Sequence, residues 1–403
     1  MLWSWLLAQG IHIHFAHRTF SWSNEARGMA AVHCVIIGFG AFDVDKKTIY
    51  EYEDIRGEPH AIKATNINPY LVDAPDVVLV NRQHPICAVP EIGIGNKPID
   101  GGNYLFTLEE RDAFLQREPQ AKKWFRRWIG ADEFLNGYER WCLWLGDCPP
   151  NELRHMPEAM KRVKAVRELR LASKSAPTQK LAATPTRFHV EYIPQEAYLL
   201  IPRVSSERRA FIPIGFMTPD TLTSDTSLTI PDATLYHFGI LTSTMHNAWM
   251  RTVCRRLESR YRYSAGIVYN NFPWPELPSP SGRGIEGEGA SGEHGTASPS
   301  SPALPPAGEG SKQRAAVEAA AQAVLDARAQ FPQSSLADLY DPLTMPPVLV
   351  KAHQALDRAV DACYRKAAFT SDAQRVEFLF ERYQQLTSLL PTVRKPARRK
   401  SQR

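Results

Sequence analysis

A segment rich in glycine, proline and serine divides this chain into two unlike parts. Between residues 278 and 312, well over half of the residues are Gly, Pro or Ser, and large apolar side chains are nearly absent. Such a segment cannot bury enough apolar surface to offset the conformational entropy lost on folding. It therefore predicts a disordered linker or insertion, with separate folded parts before and after it.

The part before this segment mixes helical and strand patterns. Apolar residues recur at helical spacing in 138–146 and 157–171, whereas 197–203 and 261–270 have the short apolar runs of strands. The stretch 235–257 is predicted to be one helix. On such a helix Arg251 and Arg255 would lie at i and i+4 on one face.

The part after the segment is predicted to be helical. Three stretches, 314–329, 348–368 and 372–390, have helical patterns and are separated by proline-containing breaks. A small helical bundle is the simplest packing for 313–390. The tail 391–403 carries six basic residues and no acidic one, which suits nucleic acid or equally a solvated, disordered end.

The first 45 residues are too few to form a domain. An apolar start is followed by an alternating strand pattern at 11–15 and a continuous apolar run at 31–39, as in a strand buried on both faces. Two strands and part of a helix do not fold alone. We therefore expect the chain to begin inside a domain.

Composition excludes several classes of protein. There is no run of 18 uncharged apolar residues, so no membrane span is predicted. The six cysteines are scattered and no Cys/His cluster has zinc spacing, which indicates a reduced, cytoplasmic protein without structural metal. His12, His14, His17 and His33 are close in sequence, but without a further ligand they favour structural histidines.

Two motifs of the first part leave alternatives open. The glycine-rich loop at 93–102 is not a P-loop, yet its glycines and Lys97 could let backbone amides approach a phosphate. The alternative is a plain multi-turn loop. Asn68-Pro69-Tyr70 lacks one proline of the Asn-Pro-Pro-Tyr motif of amino-methyltransferases, so a catalytic role is not expected.

One pair of charged residues has the chemistry to recognise a base pair. Glu258 and Arg260 would leave the same face of an extended segment. Arginine can bond to O6 and N7 of guanine, and glutamate can accept from N4 of cytosine, so together they could recognise one G·C pair. The alternative is an exposed ion pair that contributes little.

Taken together, these stretches resemble the MmeI-like family of Type IIL restriction–modification DNA adenine methyltransferases. The stretch with the most specific match is Arg256-Leu257-Glu258-Ser259-Arg260-Tyr261-Arg262-Tyr263-Ser264. The other matching stretches are 15–26, 31–39, 67–72, 95–98, 100–102, 230–233, 237–241, 245–246, 248–249, 268–275, 339–342, 345–346 and 352–353.

The resemblance implies a modular architecture. Residues 1–45 would be an α/β fragment, the terminal helix and strand hairpin of a gamma-class methyltransferase sheet. Residues 46–277 would form an α+β DNA target recognition domain. They would be followed by the 278–312 linker, a small C-terminal helical bundle at 313–390 and the basic tail at 391–403.

The resemblance also implies roles for residues. In this family the positions of Glu258 and Arg260 help to specify the base pair beside the methylated adenine. Weaker candidates for DNA backbone or base contacts are Arg203, Arg208, Arg251, Arg255, Arg262 and Lys97. The intact family enzyme transfers a methyl group from S-adenosylmethionine to adenine N6, but its cofactor loop and catalytic motif are not found in this sequence.

The predicted function is therefore sequence-specific recognition of double-stranded DNA for an adenine methyltransferase. We expect this chain to bind no cofactor and to have no methyltransferase activity alone, as an N-terminally truncated form would. Two alternatives are a specificity subunit that acts with a separately encoded catalytic half, and an inactive gene remnant.

Overall fold

The computed structural model describes residues 2–22, 32–257, 259–276 and 307–388. Most of the predicted linker, the basic tail and Glu258 lie outside these residues. Residues 307–312, which the sequence assigns to the linker, are helical instead. Helix propensity explains this difference, because 307–312 leads directly into an alanine-rich stretch that forms one continuous helix.

A four-stranded sheet begins the described chain. Helix α1 (Leu2–Ala8) precedes the sheet. The strands of the sheet are β1 (His12–Trp22), β2 (Val32–Gly40), β3 (Lys47–Glu51) and β4 (His60–Ala64). The strand order is β2-β1-β3-β4, with β1 antiparallel to β2 and parallel to β3. The predicted helix and two strands are present, and the sheet continues beyond residue 45 as far as Ala64.

Strand β2 lies at an edge of this sheet and is exposed on both faces. Val32 and Ile36 point to one face and Val35 and Phe39 to the other, and each is more than two-fifths exposed. Apolar strands are normally buried on at least one face. These side chains therefore form an apolar surface that the described residues leave uncovered.

The middle of the chain forms three further sheets with intervening helices. Its first segment contains β5 (Gly93–Ile94), β6 (Leu105–Phe106), α2 (Leu108–Arg117), β7 (Phe125–Ile129), α3 (Ala131–Asn136), β8 (Arg140–Leu143), α4 (Pro150–Arg154), α5 (Pro157–Leu171) and α6 (Ala176–Lys180). Its second segment contains β9 (Tyr198–Pro202), β10 (Val204–Ser205), β11 (Gly215–Met217), β12 (Thr221–Thr223), β13 (Ser227–Pro231), α7 (Leu235–Thr242), α8 (Thr244–Val253), β14 (Arg255–Leu257) and β15 (Arg260–Arg262).

These strands pair as β12-β7-β8-β6, β11-β9-β13-β5 and β10-β15-β14. The first of these sheets packs with α5 around a separate aromatic core that includes Tyr104, Phe125, Trp144 and Phe188. We call residues 104–188 the small lobe. Its core is distinct from the main core of the molecule.

The C-terminal helices α9 (Ala307–Ala329), α10 (Leu336–Leu339), α11 (Pro347–Tyr364) and α12 (Asp372–Ser388) form close to their predicted places. They do not make a self-contained bundle. Their apolar faces pack against α7 and α8, so one core contains Trp249, Phe272 and Phe380. The helices and the preceding α+β part therefore share one interior.

Three local predictions were wrong. The stretch 235–257 is two helices and a strand, because Ser243 is extended and its side chain accepts a hydrogen bond from the backbone N–H of His246, which starts α8. The stretch 138–146 contains β8, because pairing with β6 and β7 overrides its helical pattern. Within 261–270, β15 is followed by a π-helical turn at Ala265–Tyr269.

Candidate nucleic-acid interface

An arginine-rich hairpin projects from the end of α8. Strands β14 and β15 are antiparallel, with Arg256 opposite Tyr261 and Leu257 opposite Arg260. Strand β10 pairs with the other side of β15 and completes a three-stranded sheet. Because the chain reverses between Leu257 and Arg260, the segment 256–264 is not one continuous strand.

Two arginines face each other across the hairpin. Arg255 lies directly opposite Arg262, and both are exposed. Like charges directly opposite on paired strands destabilise a sheet. Neither guanidinium has a hydrogen-bond or ion-pair partner among the described residues. The site therefore has two positive groups whose mutual repulsion a polyanion would relieve.

The hairpin is held rigidly from behind. The Arg256 guanidinium lies 4.0 Å from the centre of the Tyr261 ring and donates to the Ser259 carbonyl at 2.8 Å. The buried Tyr263 hydroxyl donates to Nε2 of His246 at 3.0 Å, and His246 Nδ1 donates to the Leu241 carbonyl at 3.0 Å. The arginines therefore project from a fixed backbone, which limits the entropy lost on binding.

Tyr263 and His246 were not singled out by sequence reasoning. Tyr263 lies in the specific nine-residue motif, but its partner His246 is 17 residues away on α8. Burial lowers the pKa of His246 to about 3, so this histidine is neutral at pH 7 and its Nε2 can accept a hydrogen bond from the tyrosine hydroxyl. Only the tertiary structure brings the two together.

A groove of about 770 Å³ lies beside the hairpin. Its lining includes Leu257 and Arg262 of the hairpin, Pro98, Asp100 and the turn at 224–226. Arg203 also lines the groove. Its Nη1 donates to the Asp225 carbonyl at 3.0 Å, whereas its buried Nε has no partner among the described residues. This groove therefore presents the exposed guanidinium of Arg262 together with the acidic residues Asp100 and Asp225.

The other sequence candidates are placed less favourably. The Arg251 guanidinium donates to the Ala210 carbonyl at 2.8 Å and pairs with Asp372 of α12 at 2.7 Å. Its predicted alignment with Arg255 on one helix is wrong, because α8 ends at Val253. Lys97 Nζ lies 3.7 Å from an Asp225 carboxylate oxygen.

The remaining candidates lie on the surface or outside the described residues. Arg208 is exposed in the loop that follows β10. Arg260 is exposed on β15 opposite Leu257. Glu258 lies outside the described residues, so the expectation that it shares a face with Arg260 stays a prediction.

The glycine-rich loop is a packing element. A Cβ atom on Gly95 would lie 2.2 Å from the Ser224 carbonyl oxygen, so only glycine allows this approach. The backbone N–H of Asn96 donates to the Thr223 carbonyl at 2.7 Å, and that of Lys97 to the Val190 carbonyl at 2.9 Å. Because these amides are already bonded to protein carbonyls, they are not available to a phosphate.

Within the described ranges, no group of three or more His, Cys, Asp or Glu side chains could hold a metal ion. His17 stacks on Tyr50 with ring centres 4.2 Å apart and bonds to the Tyr52 hydroxyl. Within the same ranges, each helix is too short or too polar to cross a membrane.

Comparison with known proteins places this geometry in a family. Models for the MmeI target recognition domain, the MmeI C-terminal domain and the MmeI DNA-methyltransferase domain match residues 73–276, 309–391 and 1–51 respectively. The chain is 36% identical over 387 residues to DNA methyltransferase A of Bacillus subtilis (strain 168), and the match covers 96% of this chain and 40% of that protein.

A solved structure has the same fold. The Type IIL restriction–modification enzyme MmeI, in complex with DNA, is 51% identical, with a TM-score of 0.83 over 96% of this chain and 48% of that chain. The chain thus spans about half the length or less of the two relatives it matches. The matched target recognition model and the shared fold together show that this chain belongs to the MmeI-like family of Type IIL restriction–modification DNA methyltransferases.

Proposed function

We propose that these residues act as the sequence-specific DNA recognition part of an N6-adenine DNA methyltransferase of a restriction–modification system. The observation that carries the proposal is the facing pair Arg255 and Arg262, exposed and unpaired among the described residues, on a hairpin beside a groove. Two like charges held together on a rigid sheet cost stability unless an anion binds them. The DNA backbone is such an anion.

In this proposal different residues make different kinds of contact with DNA. Arg255 and Arg208 are exposed and contact phosphates, whereas Arg203 and Arg262 line the groove and can meet base edges. Glu258 and Arg260 choose the base pair beside the target adenine. Arg251 and Lys97 already have carboxylate partners, so we assign them weaker roles.

The test is binding of a mixed-sequence duplex by the 403-residue protein across a salt series. We expect R255Q and R262Q each to lower the affinity and to reduce the salt slope by about 0.9 for each phosphate that the variant no longer neutralises. R167Q is the matched control, because Arg167 is exposed on α5 and is not among the residues that line the groove. Neither hairpin variant should be less stable than the parent, since each removes the repulsion across the hairpin. Binding that is the same in the parent and all three variants would contradict the proposal.

The glycine-rich loop at 93–102 is poorly suited to S-adenosylmethionine. The glycine-rich loop is packed against Ser224, and its amides at Asn96 and Lys97 are bonded to protein carbonyls. We propose that the cofactor serves the intact family enzyme and is not bound here. Incubation with labelled S-adenosylmethionine and DNA should give no methyl transfer; labelled DNA would refute this part of the proposal.

The uncovered faces of β2 support a second proposal, that this chain acts together with further methyltransferase polypeptide. Val32, Val35, Ile36 and Phe39 would be buried if further polypeptide packed against both faces of the sheet at β2. Such polypeptide could be part of a separately encoded catalytic half. Co-expression with the remaining half of a relative should restore methylation and raise solubility, whereas V35K should prevent both if β2 is the contact.

A further inference from the structure

Arg170, near the end of α5, is completely buried and uses all five of its N–H groups. Nε donates to the Ile99 carbonyl at 2.9 Å, and Nη2 to the carbonyls of Pro98 and Arg187 at 2.8 Å each. Nη1 donates to the carbonyls of Leu181 and Thr184 at 2.9 and 3.0 Å. All five hydrogen-bond acceptors are backbone carbonyls, and Asp100 is the carboxylate that interacts with the guanidinium through its charge.

A buried charge held only by backbone carbonyls is an unusual choice for a helix that packs on a core. Burying a charge is costly unless every polar hydrogen is bonded, and an apolar side chain would fill the same space at lower cost. Only the planar fork of arginine can bond five carbonyls at once. The role of the Arg170 side chain can therefore be inferred from the segments whose carbonyls it binds.

The first supported segment contains a strained residue. Ile99 has φ of 49°, although it is β-branched, and it is one of three non-glycine residues with positive φ among the described residues. Such a conformation persists only where its surroundings impose it. The Arg170 bonds to the carbonyls of Pro98 and Ile99 supply that constraint.

The same segment forms one wall of the groove. Pro98 and Asp100, on either side of Ile99, line the groove together with Leu257 and Arg262 of the hairpin. The Asp100 carboxylate accepts a hydrogen bond from the backbone N–H of Tyr104 at 2.7 Å, which fixes its direction.

The loop transmits this constraint to the turn at 224–226. The buried Asn96 side chain donates to the Thr223 carbonyl at 3.0 Å, and its backbone carbonyl accepts from the N–H of Asp225 at 2.9 Å. The turn lines the groove as well. A single buried side chain therefore supports, directly or through the loop, the groove wall formed by 98–100 and 224–226.

We infer that Arg170 is a positioning residue for DNA sequence selectivity: it fixes the groove wall at Pro98–Asp100 relative to the hairpin without touching DNA. The inference rests on the proposed DNA recognition function. If it is correct, loosening the wall lowers discrimination between sites but leaves general attraction to the DNA backbone intact, because the cationic groups of the hairpin are unchanged.

The experiment begins by selecting preferred duplexes from a random pool with the 403-residue protein. Binding to the selected site, to single-base variants of it and to unrelated duplex is then compared for the parent, R170K and the control R167K. Lysine keeps the charge but has three donors instead of five. We expect R170K to lower the ratio of selected-site to variant-site affinity by about tenfold, and the affinity for unrelated duplex by less than about twofold.

A second variant covers the case in which R170K does not fold. Glycine accepts the backbone conformation of Ile99 without strain, so I99G keeps the fold while freeing the wall to move. We expect I99G to lower discrimination in the same direction as R170K, with a melting temperature close to that of the parent.

The two proposals fail differently. If the parent enriches no sequence, the DNA recognition function is refuted and the inference falls with it. If the parent enriches a site but folded R170K and I99G discriminate as the parent does, only the inference about Arg170 is refuted. Equal loss of affinity for all duplexes would also refute it, since that outcome indicates a purely structural role.

Discussion

The buried His246 predicts a specific sensitivity to acid. In the native structure its Nε2 accepts from Tyr263 and its Nδ1 donates to Leu241, and burial lowers its pKa from 6.5 to about 3. The unfolded chain, in contrast, protonates this histidine below about pH 6.5. Between these values the unfolded state binds more protons, so the free energy of unfolding falls as the pH falls.

The magnitude follows from proton linkage. Below the unfolded pKa, one histidine that stays neutral in the native state reduces the free energy of unfolding by about 1.4 kcal/mol per pH unit. Between pH 7 and pH 5 this amounts to roughly 2 kcal/mol, because titration of the unfolded state is only partial near pH 6.5. His237 and His353, whose pKa values burial lowers to about 4 and about 3, add to the total in the same direction.

A comparison of variants isolates the contribution of His246. Urea unfolding, monitored by tryptophan fluorescence at pH 7 and at pH 5, gives the decrease in the free energy of unfolding between these pH values for the parent, H246Q and Y263F. H246Q cannot titrate, so its decrease should be smaller than that of the parent by roughly 2 kcal/mol. Y263F loses a hydrogen bond but keeps the buried histidine. It should therefore be less stable than the parent at both pH values, but its free energy of unfolding should decrease between pH 7 and pH 5 by the same amount as that of the parent.

The contributions of His237 and His353 are the same in all three proteins and cancel in the comparison. The reasoning is refuted if H246Q and the parent lose the same free energy between pH 7 and pH 5. A Y263F decrease as small as that of H246Q would also contradict it, since titration would then depend on the tyrosine.

Two further predictions concern stability and use the same urea assay. G95A should lower the free energy of unfolding by about 1–3 kcal/mol, because its Cβ would meet the backbone of Ser224 at 2.2 Å. The control is G93A, whose Cβ would have only an ordinary contact at 3.5 Å. Equal effects of the two substitutions would contradict the role of Gly95 in packing. D372N should lower the free energy of unfolding by less than about 1 kcal/mol, because the Asp372 side chain, which pairs with Arg251, is about half exposed. A much larger decrease would contradict the view that this is an ordinary surface ion pair between α8 and α12.

Local signals in the sequence predicted some elements well. Helix α5 coincides with the predicted 157–171, because a proline at its start and buried Ala159, Val163 and Val166 give one regular apolar stripe. Strand β9 falls within the predicted 197–203 and is buried along its whole length. These elements are determined by their own residues.

Features that depend on pairing between distant segments were not predicted. The break at Ser243 is hidden within a continuous apolar pattern, so α7, α8 and β14 look like one helix in sequence. The facing of Arg255 and Arg262 is set by the register of the hairpin. Arg170 continues the buried stripe of α5 at helical spacing, but its five carbonyl acceptors lie in segments as far as 72 residues away, so the role of this arginine is not visible in its local sequence.

The separate core of the small lobe has a consequence for how such proteins diversify. Residues 104–188 supply every buried side chain of this aromatic core except Leu222 of β12, whereas most of the remaining α+β part shares its interior with α9, α11 and α12. An exchange between relatives would therefore have to move 104–188 together with β12, because β12 pairs with β7 and Leu222 completes the core. It would also have to keep the contact of Phe134 with Tyr198 and Leu200, whereas the core shared with the C-terminal helices would stay unchanged.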